Sequence, residues 1–148
     1  MKVYVKAPEL EEMLRKLQGK FQSLYPVMHS ISLVMLKAVH TNFEVEGRDE
    51  QGNTHVWQPL AKSTVKQRAK YKGQAYAEHP ILELTGRLKS SITPGFGKDY
   101  AKVGTAKKYG VFHQTGTRKM PARPFLVLPK DEIEKIKNLL LQYLKKSG

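Results

Sequence analysis

At 148 residues the chain has the usual length of one domain, and a domain of that size buries about 68–70% of its unfolded surface without needing a staple. It contains no cysteine, which excludes disulfides, thiolate metal sites and cysteine nucleophiles. The net charge of +13 is uneven: residues 1–60 balance seven Lys/Arg against seven Asp/Glu, while residues 61–130 carry fifteen against three.

Such a surplus attracts an anionic partner (nucleic acid, an acidic protein or anionic lipid), or it forms a solvated face that keeps the protein dispersed. No apolar run approaches the roughly 20 residues of a membrane span. Met1-Lys2-Val3-Tyr4-Val5-Lys6 places charge where a signal peptide needs an apolar core, so the chain is expected to be neither secreted nor anchored.

In chain order, Leu10, Met13, Leu14, Leu17, Phe21 and Leu24 recur at spacings of three and four and predict a first helix. Pro8 suits its first turn, Glu9, Glu11 and Glu12 suit its dipole, and Pro26 is expected to end or kink it. Met28, Ile31, Met35, Ala38 and Val39 predict a second helix, widened by Leu33, Val34 and Leu36, and best placed to be the core's central helix. Residues 44–53 read as a polar loop, Thr54 to Trp57 as a short strand, and Thr64 with Gln67 as a capping box opening a short helix. Residues 66–80 lack apolar periodicity and are expected to form an exposed, mobile loop.

Ile81 to Leu88 reads as a short helix or turn. Ser90 to Thr93 and Tyr100 to Thr105 read as antiparallel strands joined through Pro94-Gly95-Phe96-Gly97. Ala106 to Gln114 is expected to hold a helical turn or two, Phe125 to Leu128 a strand, and Asp131 to Lys146 a final helix. The expected fold is α+β: one domain spanning residues 1–148, with a small antiparallel sheet on which N-terminal helices and a C-terminal helix pack.

The residues give catalysis little footing. His29 and His40 stand about 16 Å apart along a helix, too far to share a metal ion, and no His-x-x-x-His pair exists. Only Glu78, Glu83 and Asp99 are acidic between residues 61 and 130, with no local pairing. Ser63-Thr64-Val65-Lys66 matches Ser-x-x-Lys by letter, without a recognisable frame around it, and Gly95-Phe96-Gly97-Lys98 lacks phosphate-loop spacing. No catalytic, metal-binding or cofactor-binding residue is expected, and no cofactor. Two basic sets remain as anion or DNA contacts: Lys62, Lys66, Arg68, Lys70 and Lys72 beside Tyr71 and Tyr76, and Lys107, Lys108, Arg118 and Lys119 with Lys102 and Arg123. No zinc finger or RNA-recognition signature accompanies them, so any affinity would be sequence-independent.

An ordered series of short motifs runs through the middle and late chain. It comprises Trp57-x-Pro59-Leu60, Ser63-Thr64, Ile81-Leu82-x-x-Thr85-Gly86-x-Leu88, Val103-Gly104-Thr105, Tyr109, Phe112-His113-Gln114-x-Gly116 and Met120-Pro121-x-Arg123-Pro124-Phe125. In order and spacing this series resembles the phage virion morphogenesis family, which includes Mu-like prophage and tail-completion proteins. The resemblance implies a non-enzymatic assembly protein at the tail terminus or head–tail junction, acting as a ring of identical subunits with six as the expected number. It implies partners among tail or neck proteins, with non-specific DNA contact as an addition and no membrane. It also implies a location in the bacterial host cytoplasm during assembly and in the virion tail or neck afterwards. The alternative is a free-standing, sequence-independent nucleic-acid-binding protein.

The motif residues Trp57, Pro59, Leu60, Thr85, Gly86, Leu88, Gly104, Tyr109, His113, Gly116, Met120, Pro121, Arg123, Pro124 and Phe125 are then candidates for subunit contact or for shaping it. Met120 to Phe125, extended by its prolines, would lie with the sheet edge along a neighbour, Arg123 meeting a carboxylate there. The competing reading keeps that segment internal, with Arg123 capping a local carbonyl. Trp57 is either an interface anchor or a core residue.

Overall fold

Leu10, Met13, Leu14 and Leu17 form the inner face of α1 (Pro8–Lys20), with Leu17 buried and the others partly so. The computed structural model describes residues 8–20, 23–83 and 86–146; Met1 to Lys6, Phe21 and Thr85, named above, lie outside them. Pro26 does not close α1. It sits in the first turn of α2 (Tyr25–Glu44), where a missing amide proton costs no intrahelical bond.

α2 is the central helix, as its wide apolar pattern predicts. One end of it contributes Val27, Met28 and Ile31 to a cluster with Leu17, Leu24, Leu128, Ile136 and Leu140. Its other end contributes Val39 and Phe43 to a second cluster with Trp57, Ile81, Leu88, Ile92, Phe125 and Leu126. Each fully buried side chain of this size stabilises the fold by about 1.5–3 kcal/mol relative to exposure. The last helix, α6 (Lys130–Lys146), lies against both α1 and α2, opening on Asp131 and Glu132 and closing on Lys145 and Lys146 as its dipole favours.

Among the described residues the sheet has two antiparallel strands, β1 (Thr93–Phe96) and β2 (Ala101–Gly104), both packed on α2. The second strand falls where it is expected, and the first lies later in the sequence than the glycines suggest. Gly97 N–H donates to Tyr100 O at 2.9 Å and closes the turn at Lys98 and Asp99, so Pro94-Gly95-Phe96 is strand, with Phe96 opposite Ala101 and Thr93 opposite Gly104. Pro94 is tolerated because, among the described residues, β1 has a strand neighbour on one side only.

Two other expected strands are absent. Thr54 to Trp57 makes a single bridge, Thr54 to Arg48. Phe125 to Leu128 has no strand partner because side chains occupy its backbone groups. Gln114 Oε1 accepts the Phe125 and Leu126 N–H groups at 3.1 and 3.0 Å, and Asn42 Nδ2 donates to Phe125 O and Val127 O at 2.8 and 2.9 Å.

The segment expected to be a mobile loop is largely helical. α3 spans Lys62–Lys72, and a 3-10 turn follows at Gln74–Tyr76. Its N-cap is Ala61, with no side-chain cap, so Thr64 and Gln67 form no capping box. Gly86 sits at φ +72° before the short α4 (Arg87–Ser90), a conformation that a Cβ would strain. α5 (Gly110–Thr115) completes the described elements.

Candidate functional site

Between Tyr100 and Lys130 the sequence has seven Lys/Arg and no Asp/Glu, and α5 lies in the middle of that stretch. Gly110 lets this helix sit close to the core. A Cβ there would stand 3.0 Å from Thr105 Cγ2 and 3.4 Å from Phe125 Cζ. With Gly110 turned inward, Tyr109, Val111 and Phe112 turn outward and are 41%, 38% and 53% exposed. The helix ends at Gly116, whose φ of +78° and close approach to Ala122 N suit no other residue. A tight turn follows, closed by Thr117 N–H to Met120 O at 2.8 Å. Lys107 and Lys108 before the helix and Arg118 and Lys119 in this turn are all exposed. The result is an aromatic ridge with a cationic rim.

The Met120–Phe125 segment does not lie free for a neighbour. Arg123 is 4% exposed, donates from Nε to Gln58 O and from Nη2 to Pro59 O, both at 2.9 Å, and pairs with no carboxylate among the described residues. Its own N–H bonds His113 O, and Pro124 O accepts Trp57 Nε1 at 2.8 Å. Trp57 is therefore a core residue, set edge-on to Phe43 at 5.6 Å, and Leu88 and Phe125 share its cluster. Burial pushes the Arg123 guanidinium below its ordinary range. Burial first, and then the neighbouring Arg123 charge, push the His113 imidazole down, and His113 Nδ1 is enclosed without a hydrogen-bond partner. Leu60, Gly86, Gly104, Gly116, Met120, Pro121 and Pro124 are half-buried, and Pro59 and Tyr109 are exposed.

The basic set around α3 divides. Lys62, Lys66, Lys70 and Lys72 are exposed along the helix, with Tyr71 and Tyr76 beside them and the Lys72 ammonium 5.3 Å from the Tyr76 ring. Arg68 is not among the contacts. It is 4% exposed, donates to Ile81 O at 3.3 Å, and desolvation lowers its pKa. Pro59, Leu60, Lys62, Val65, Lys66, Glu78 and His79 line a cleft beside α3. At its rim Glu46 holds the His79 ring through Nδ1 at 2.7–2.8 Å and also accepts the Ile81 N–H at 3.0 Å. Two lysines suit this cleft to an anionic group. Among the described residues no cluster of His, Asp and Glu could hold a metal ion, and no helix is long and apolar enough to cross a membrane.

Residues 5–145 match the model of the phage virion morphogenesis family. The chain belongs to that family. Among its relatives, Mu-like prophage FluMu G protein 1 of Haemophilus influenzae is 33% identical over 132 residues, covering 84% of this chain and 86% of that protein. Mu-like prophage FluMu G protein 2 of the same organism is 31% identical over 141 residues, covering 90% and 88%. The protein named putative capsid assembly protein G of Escherichia phage Mu is 29% identical over 108 residues, covering 68% and 66%. No solved structure matches. Membership in the virion morphogenesis family places the role of this chain in phage particle assembly.

Within this chain, part of the motif series of the virion morphogenesis family builds the interior: Trp57, Leu88, Arg123 and Phe125 hold loops together. Asn42 and Arg48, whose hydrogen bonds help to fix those loops, carry no pattern in the sequence, and Gln114 stood in the motif series without a role until its hydrogen bonds gave it one. Val111 and Phe112 on the ridge were equally hard to single out from apolar residues that are buried.

Proposed function

We propose that this chain is a non-catalytic structural part of a phage or prophage tail. It completes the tail or joins it to the head, working as a ring of identical copies, six by analogy with tail symmetry. It assembles in the host cytoplasm with other tail or neck proteins and stays in the tail or neck of the finished particle. The observation that carries this reading is the family match over residues 5–145, nearly the whole chain. An exposed aromatic ridge on a strongly basic protein supports it, because large apolar side chains left in solvent beside charge are the material of protein interfaces.

One relative's name points to capsid assembly instead, and a single experiment separates the two. Deleting the gene from an inducible phage or prophage and imaging the lysate should reveal complete heads and unattached tails, with particles restored by the gene in trans. A lysate without heads would move the function to the capsid. Normal infectious particles would sink both readings.

The exposed α3 lysines and tyrosines favour a second activity, sequence-independent contact with nucleic acid. Binding to a random DNA duplex should then weaken steeply with salt. Changing Lys62, Lys66, Lys70 and Lys72 to Gln should flatten the logarithmic slope by about 0.9 for each phosphate that is no longer neutralised. Flat binding curves at low salt would remove this activity.

A further inference from the structure

We propose that copies of this chain join through two different patches: the α5 ridge of one copy and an acidic corner of the next. The proposal rests on the ring reading above and names the contact that reading needs. The corner forms where the loop after α2 meets the start of α6. Four of the seven residues from Glu44 to Glu50 are acidic, and Lys130 N–H donates to Glu50 O at 2.8 Å, which seats this loop against the first turn of α6. Within the loop, Arg48 is turned inward and paired with Glu132 at 3.5 Å, so it does not neutralise the surface. Glu50, Asp131 and Glu134 are exposed there, with Lys130 and Lys135 among them and Lys135 drawn to Glu132. Val56 lies over the same loop, its N–H on Gly47 O at 3.4 Å, and is 42% exposed. The corner is thus a set of exposed carboxylates on a loop that also exposes one apolar side chain, and the ridge is apolar side chains beside ammonium and guanidinium groups. The two carry charge of opposite sign, and each offers apolar surface to the other.

The hairpin is a poorer joint. Its strands have four residues each, Pro94 interrupts one edge and Lys102 guards the other, devices that discourage strand addition. A patch that meets a different patch makes a head-to-tail contact, and such contacts close into rings when the rotation allows. Two patches on one chain therefore lead toward the assembly already proposed, where a self-complementary patch would stop at a dimer.

Mass measurement across concentration, on the whole chain, tests this. One variant carries Lys107→Glu and Lys108→Glu, another Glu50→Lys and Glu134→Lys, and a third combines all four. Every position is exposed, and circular dichroism checks that each variant folds. Each pair of reversals should raise the dissociation constant at least about tenfold, while an equimolar mixture of the two variants, and the fourfold variant alone, should regain association. Phe112→Ser should weaken association independently of salt, which tests the apolar centre without any charge change. A wild-type chain that associates as well as all these variants overturns this contact and leaves the ring standing. A wild-type chain that stays monomeric throughout overturns both. Ridge reversals that abolish DNA binding yet leave association untouched would assign the ridge to nucleic acid and overturn the proposal.

Discussion

Asn42 is fully buried near the end of α2 and uses both ends of its amide. Nδ2 donates to Phe125 O and Val127 O, and Oδ1 accepts Arg48 Nε at 2.6 Å, while Arg48 also donates to Ala38 O at 2.7 Å. One side chain thereby ties the central helix to the chain that leads into α6 and to the acidic loop. Asn42→Ala strips a partner from two carbonyls and one guanidinium in a dry site, each loss costing about 1–3 kcal/mol. Because the three share one network their sum is not additive, and we expect about 3 kcal/mol from urea unfolding with an unchanged denaturant slope. A loss below about 1 kcal/mol would mean that water replaces the amide. His113 gives a pH-dependent counterpart. Its pKa is lowered in the fold, by burial and then by Arg123, so the folded state resists protonation more than the unfolded chain. The stability this contributes is whole above the unfolded value of about 6.5, and it is lost as pH falls through the lower folded value. Wild-type stability should therefore fall as pH drops below about 6.5, and His113→Gln should flatten that decline. An equal slope in the two proteins would remove His113 as its source.

Helices differ sharply in what holds them. α2 is anchored in both apolar clusters, whereas α3 buries only Arg68 and carries exposed cations and tyrosines along most of its length. An element with so little buried surface opens locally at low cost. In hydrogen exchange, amides of α3 should exchange well before those of α2, and equal protection of the two would show that α3 is held by more than its sequence suggests. The same contrast explains what was legible in the sequence. α1, α2 and α6 were readable because their apolar residues repeat with a helical period. α3 has no apolar stripe, so only its opening reads as helix and residues 66–80 read as a loop. The second strand of the hairpin was placed correctly and the first too early, since Gly95 and Gly97 look alike as turn residues and only the Gly97–Tyr100 bond separates them. Phe125 to Leu128 has the apolar run of a strand, yet its partners are the amide side chains of Asn42 and Gln114, which no periodicity announces. For the candidate surface, charge was legible and burial was not. Arg68 read as a surface cation and proved to be interior, Arg123 left both readings open and took the internal one on local carbonyls, and Phe112 could not be told from Phe125 without the inward turn of Gly110.

At the scale of the whole molecule the two clusters meet along α2: Ala38 belongs to one, Val39 to the other. Losing either cluster bares part of the helix that supports the remaining one, so the chain should unfold as a unit. The composition offers an unusually direct test, because Trp57 is the sole tryptophan and lies in the second cluster, with its indole edge on Phe43 and its N–H on Pro124 O. Tryptophan fluorescence therefore reports the Phe43–Phe125 cluster alone. Far-ultraviolet circular dichroism is dominated by α1, α2 and α6, which build the other cluster. Under urea the two signals should give the same midpoint and slope. If fluorescence changed first, the loops around Trp57 would form a separate, weaker unit, and the motif residues Leu88, Arg123 and Phe125 would belong to a part of the molecule that can let go while the helices stay packed. Coincident curves would instead mean that the loop positioning the α5 ridge is as stable as the core beneath it, which a surface that must dock in a fixed orientation requires.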